Sequence, residues 1–196
     1  MTNSYSKTRR LVQLSIFMAI VLLQSRVPFL GNIPINPALS VTIIHITVIV
    51  AVLLLGTLDG AMVGFVWGLN SFISALFFPT SPFQQMVLSS PLTSVLPRVL
   101  MPLCVGVFVA FLRRKKVNLY VQGIASGILG SLLNTVFVLG AIALFKQSEY
   151  IAIKEIAQSD LWKVLSGIVV ANGIPEAIAA AVAVPAIYRA LSRHQS

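Results

Sequence analysis

Residues 91–116 read PLTSVLPRVLMPLCVGVFVAFLRRKK. From Pro91 to Leu112 the stretch is apolar apart from Thr93, Ser94, Cys104 and one cation, Arg98, and it closes on Arg113-Arg114-Lys115-Lys116. A helix of about 20 apolar residues crosses the hydrocarbon core of a bilayer. Lys and Arg clustered directly after such a run mark its cytoplasmic flank. This reading extends outward to the whole chain. Of its 196 residues 57% are hydrophobic and 10% charged, with a formal net charge of +9. A soluble domain carries about 25% charged residues, so a soluble domain and a disordered chain are both excluded.

Six spans are expected, at about 9–26, 39–55, 59–78, 91–112, 119–145 and 172–191. The fold class is an all-α membrane protein, one transmembrane domain over residues 1–196. The link after the first span is polar and broken by Pro28, Gly31, Pro34 and Pro37. Leu161–Ala171 is apolar but too short to cross alone, and reads as a short interfacial helix. Asn172 is a suitable N-cap for the last span, with Pro175 tolerated in its first turn. Cys104, the single cysteine, excludes an intrachain disulfide and reads as a small buried packing residue.

An even number of spans puts both termini on one side. Lys7, Arg9, Arg10, Arg113, Arg114, Lys115, Lys116, Arg189 and Arg193 share that side. Arg26, Arg98, Lys146, Lys154 and Lys163 do not, and Glu149, Glu155 and Asp160 neutralise the last three. Both termini are therefore expected in the cytoplasm, with the chain multi-pass in the cell membrane. The basic excess then signals topology and not nucleic-acid binding.

Threaded this way, the polar residues inside the spans fall at one outer depth: His45, Asn70, Ser71, Ser74, Ser94, Arg98, Asn134, Asn172 and Glu176. Ionisable groups in a span face the bundle interior, so the pattern describes a pocket open to the outside. A guanidinium holds a carboxylate or phosphate bidentately, and Arg98 either does this or pairs with Glu176. His45 is either a hydrogen-bonded interior residue or a ligand contact, and Trp67 either packs or walls the ligand. Asn134 ends the stripe Gln122, Ser126, Gly130, Asn134. Gly60, Gly64 and Gly68 form a small face on the third span, and Ser15 and Ala19 a shorter one on the first, as close-packing surfaces do. No G-x-x-x-x-G-K-[ST] loop, G-x-S-x-G elbow or H-E-x-x-H motif occurs. The chain is not expected to be an enzyme. No metal site or cofactor is expected in it, and active transport would need ATP hydrolysed by another chain.

The segments Ser40-Val41-Thr42-Ile43-Ile44-His45-Ile46, Gly60-x-x-x-Gly64-x-x-x-Gly68-Leu69, Phe78-Pro79-Thr80-Ser81-Pro82-Phe83, Ser94-Val95-Leu96-Pro97-Arg98 and Asn172-Gly173-Ile174-Pro175-Glu176-Ala177 carry a resemblance. The chain resembles the substrate-binding S components of energy-coupling factor (ECF) vitamin transporters over essentially its whole length, and most closely the pantothenate-specific members. The resemblance implies an S-component bundle that captures a vitamin outside. It then docks on a scaffold membrane protein carrying two ABC-type ATPases, and releases the vitamin inside by toppling. It also implies a docking surface at Ser15 and Ala19, where the family has Ala-x-x-x-Ala. Gating segments would lie at about 27–38, 79–90 and 146–163. Pantothenate would take its carboxylate contact from Arg98, with Asn70, Asn134, Asn172 and His45 on its polar middle; Trp67, Ser94 and Glu176 complete the candidate set. Folate, hydroxymethylpyrimidine or another vitamin is the alternative ligand. A stand-alone facilitator and an intramembrane enzyme are the alternative classes.

Overall fold

The computed structural model describes residues 2–27, 29–36 and 39–192, with side chains described from Lys7 onward except at 33–41. Pro28, Pro37 and Arg193 lie outside the described residues. Five long helical stretches and one short helix form the bundle. α1 (Thr2–Arg26) leads into a two-stranded antiparallel hairpin, β1 (Asn32–Asn36) and β2 (Leu39–Thr42), which pairs Asn32 with Thr42. α2 (Ile44–Leu55) and α3 (Thr57–Phe77) are joined at Gly56, whose φ of 104° suits a residue without a Cβ. Two short helices follow, α4 (Pro82–Val87) and α5 (Pro91–Ser94), then α6 (Leu96–Arg114), α7 (Leu119–Phe145) and the short α8 (Gln147–Lys154). The described residues close on a continuous helical run made of a 3-10 turn (Gln158–Asp160), α9 (Leu161–Ile168), a π-helical turn (Val169–Gly173) and α10 (Ile174–Ser192).

Among the described residues four stretches are long and apolar enough to cross a membrane: Thr57–Phe77, Pro91–Arg114, Leu119–Phe145 and Gln158–Ser192. α1 presents Leu11, Val12, Ile16, Ile20 and Leu23 outward, and the other long helices likewise expose large apolar side chains such as Phe65, Val107, Val136 and Val182. An exterior of this kind suits lipid and not water. The chain is a multi-pass membrane protein of helical architecture.

Three expectations need correction. The second span is half strand and half helix: residues 39–42 extend the hairpin, and the helix has 12 residues. Ser40-Val41-Thr42-Ile43 includes a β-branched run, which suits a strand once β1 offers a partner. The last span does not start at Asn172. Pro175 has no N–H for the Ala171 carbonyl and its ring crowds that carbonyl; the helix widens into a π turn there and runs on, so the separate interfacial helix and the Asn172 cap disappear. Cys104 is not buried but faces the bundle exterior.

α2 is the centre of the bundle. Every residue from Ile44 to Leu53 except Thr47 is buried, and the helix touches α1, α3, α6, α7 and α10. Around it lies the main apolar core, including Val21, Val48, Ile49, Val52, Val63, Met101, Val105, Ala180 and Val184. The α3–α6 crossing depends on missing side chains. A Cβ on Gly68 would lie 2.7 Å from the Val95 Cα and 2.9 Å from the Ser94 carbonyl oxygen. The small face read on the third span thus packs α3 onto the turn that carries Arg98. At one end of the bundle, Arg10 makes two bonds to Asp59, Nε to Oδ2 at 2.5 Å and Nη2 to Oδ1 at 2.7 Å. At the same end Arg113 donates from Nη2 to the Leu53 carbonyl, one of the otherwise open carbonyls at the close of α2, at 2.5 Å. A second, smaller core of Val87, Ile142, Ala143, Tyr150, Leu161 and Leu165 sits at the opposite end, where α4, α7, α8 and α9 meet.

Candidate functional site

Between the two cores lies a cavity of about 510 Å³, within the usual range for small-molecule sites. α3, α6, α7 and α10 supply its polar side, and the smaller core supplies its apolar side. Arg98 starts from the first turn of α6, directly after the break at Val95 that separates α5. Its side chain is buried, its Nη1 donates to the Thr93 carbonyl at 3.0 Å, and its guanidinium carbon lies 5.1 Å from the centroid of the Trp67 ring. A desolvated cation over an indole face is held firmly. Its Nε is buried and has no hydrogen-bond partner.

Across the cavity, Glu176 stands in the first turn of α10. One carboxylate oxygen accepts from the Thr42 backbone N–H at 2.8 Å and the other from the Thr135 hydroxyl at 3.3 Å. The hairpin therefore ends on the site. Arg98 and Glu176 form no ion pair; among the described residues the salt bridges are Arg10–Asp59 and Lys146–Glu149. The two charges frame the cavity from separate helices. Asn134, buried on α7, lines the cavity with an amide oxygen that has no partner. Asn172, in the π turn, also lines it. The apolar wall consists of Phe83, Val138, Leu139, Ile142, Tyr150, Val164 and Ile168. The Phe83 and Tyr150 rings meet edge to face at 6.3 Å, joining α4 to α8.

Five of the eight residues expected from sequence thus meet in one chamber: Arg98, Asn134, Trp67, Asn172 and Glu176. The other three lie elsewhere. Asn70 accepts from Arg26 Nε at 3.2 Å, where Arg26 also lies over Phe78. Ser94 donates to the Ser90 carbonyl at 2.7 Å. His45 is fully buried on α2, in the main core. Sequence reasoning missed Thr42, Thr135, Phe83, Tyr150 and Lys154 as lining residues. Thr135 lies in the row Gly123, Gly127, Ser131, Thr135, whose small and polar residues at i+4 spacing read as a packing face. Lys154 was assigned to a neutralised loop. Outside the spans, the Lys146 ammonium is hydrogen-bonded to Glu149 at 2.7 Å and holds its carboxyl below the usual carboxylate range. Ser15 and Ala19 are exposed on α1, and the Ser15 hydroxyl donates to the Leu11 carbonyl within its own helix. Among the described residues no cluster of three or more His, Cys, Asp or Glu side chains could hold a metal ion.

The arrangement offers an anion a fixed guanidinium, offers hydroxyls or amides a carboxylate and a free amide, and encloses the rest in apolar walls. Residues 9–188 match the family described as ECF transporter, substrate-specific component. The chain is 33% identical over an alignment of 204 positions, covering 96% of both chains, to a protein of Lactococcus lactis subsp. cremoris named pantothenic acid transporter PanT. It is 38% identical over 138 residues, covering 68% of this chain and 67% of the relative, to the pantothenate transporter PanT of Leuconostoc mesenteroides. The chain belongs to the family of substrate-specific components of ECF transporters.

Proposed function

We propose that this chain is the substrate-capture subunit of an ATP-driven vitamin importer and that its ligand is pantothenate. The observation that carries the reading is the cavity with Arg98 on one side and Glu176 with Asn134 on the other. Pantothenate is a small monoanion with a carboxylate at one end, two hydroxyls at the other and an amide between. Arg98 takes the carboxylate. Asn134 and Asn172 serve the amide, and Glu176 accepts from the hydroxyls with lone pairs that Thr42 and Thr135 leave open. Trp67 and the apolar wall enclose the methylene and methyl groups. The names of the two relatives support the same choice.

The membrane arrangement we propose has six crossings: α1, the hairpin with α2, α3, α5 with α6, α7, and α10. The end marked by Arg10, Asp59 and Arg113 faces the cytoplasm, together with both termini. The chamber then opens outward, and α4 and α8 stand between it and the exterior. The exposed Ser15 and Ala19 on α1 meet the scaffold protein, and two ABC-type ATPases bound to that scaffold consume the ATP. Equilibrium binding to purified protein, with a panel of pantothenate, folate, hydroxymethylpyrimidine and other water-soluble vitamins, tests the ligand. Saturable binding of pantothenate with submicromolar affinity is expected. Tight binding of another vitamin, with none of pantothenate, rejects the assignment.

A further inference from the structure

We propose that Lys154 is a second cation for the ligand's carboxylate, supplied by α8, so that a bound anion ties this short connecting helix to Arg98 on α6. The proposal rests on the pantothenate reading above and names a specificity residue for it. α8 carries two lysines at its margins, and they differ in surroundings. Lys146, at the N-cap, is spent on Glu149. Lys154, the last residue of α8, lines the cavity, and its ammonium has no ion pair or hydrogen bond among the described residues. Glu155 follows it directly, and Asp160 lies a few residues on, yet neither engages it. Glu155 adopts the left-handed conformation with φ 52° and ends the helix there.

The geometry of α8 gives Lys154 a defined approach. Tyr150 and Lys154 are four residues apart and so share one face of the helix. Tyr150 is buried against Phe83 and lines the same cavity. The packed tyrosine anchors the face, and the long lysine stem reaches along apolar surface to place its charge at the rim. Lys154 itself is exposed, so its ammonium stays hydrated until a ligand arrives.

Charge balance points the same way. The chamber is lined by two cations, Arg98 and Lys154, and one carboxylate, Glu176. A formal excess of one positive charge complements a monoanion. Arg98 alone is constrained, because its guanidinium is pinned by the Thr93 carbonyl and the Trp67 face. The adaptable second donor therefore comes from the helix that covers the cavity. The bound carboxylate would slow departure of its own ligand by holding α8 in place.

The test compares two ligands on full-length protein in lipid nanodiscs: pantothenate, and pantothenyl alcohol, in which a hydroxymethyl group replaces the carboxylate. Lys154→Met is expected to weaken pantothenate binding about tenfold, the scale of one hydrogen bond to a charged group, with most of the change in the dissociation rate. Its affinity for the alcohol should change by less than about twofold, since no charge pair is lost there. Lys154→Arg should recover most of the pantothenate affinity. Unchanged pantothenate binding by Lys154→Met overturns the proposal, as does equal weakening of both ligands, which would mean that Lys154 only supports α8. Wild-type protein that binds no pantothenate overturns the ligand assignment itself, and this is seen before any variant is made.

Discussion

Replacing Arg98 by Met tests the centre of the site, because the two side chains are similar in length and only the charge and its donors are removed. The structure separates two consequences. For the ligand, the loss is a charge-assisted hydrogen bond to the carboxylate, about 1.5–3 kcal/mol. This corresponds to about a 10- to 150-fold rise in Kd for pantothenate. For the fold, Arg98 contributes its bond to the Thr93 carbonyl and its stacking on Trp67. Glu176 keeps both of its own partners, Thr42 and Thr135, so no buried carboxylate is left bare. The absence of a direct Arg98–Glu176 bond is what makes a folded variant expected, since breaking a buried pair destabilises by about 3–5 kcal/mol. Isothermal titration with pantothenate gives the affinity. Size-exclusion profile and Tm of the same preparation give the folded state. Unchanged affinity refutes the carboxylate role, and a variant that no longer inserts or folds shows that Arg98 is held for structure.

Three further outcomes are expected. Gly68→Ala places a methyl 2.7 Å from the Val95 Cα, closer than packed atoms allow. It should lower stability by about 1–3 kcal/mol and weaken ligand binding by displacing the Arg98 turn, read as Tm and Kd together; an unchanged Tm refutes the close crossing. The chain has two tryptophans, and Trp67 lines the cavity while Trp162 is 69% exposed. Ligand-induced fluorescence change should therefore vanish in Trp67→Phe and survive in Trp162→Phe. Ser15→Trp should reduce co-purification with the scaffold and ATPases while leaving ligand Kd within about twofold, as expected for a surface change away from the site; full co-purification argues against that surface.

Much of the bundle was legible because length and apolarity specify a membrane helix almost without context. The stretches at α3, α6 and α7 follow directly from that rule. The hairpin was not legible, since Val41-Thr42-Ile43 suits strand and helix alike, and only the nearby β1 and the Glu176 carboxylate decide in favour of the strand. Pro175 misled in a similar way. At a helix start it is harmless, and inside a helix it demands a widened turn; the surrounding residues do not say which. Within the site, Arg98, Glu176 and Asn134 stood out because polar groups in apolar runs must face inward. Asn70 met the same criterion but is taken by Arg26, a partner 44 residues away in the chain. Lys154 was hidden by Glu155 and Asp160, whose proximity in sequence does not become contact once α8 ends at Glu155.

The brevity of α2 bears on how the protein is made. Twelve helical residues cover about 18 Å, little more than half of a bilayer core of about 30 Å. As it leaves the ribosome, this segment is apolar but too short to span alone, and nearly all of it is destined for contact with five other helices. It cannot wait in the bilayer as an independent stop. The turn at Gly56 hands it straight to α3, which is long enough to cross, so α2 and α3 enter as a pair. The central helix is then enclosed only when α6, α7 and α10 have followed. Order of synthesis thus runs against order of burial: the innermost element arrives second and is sealed last.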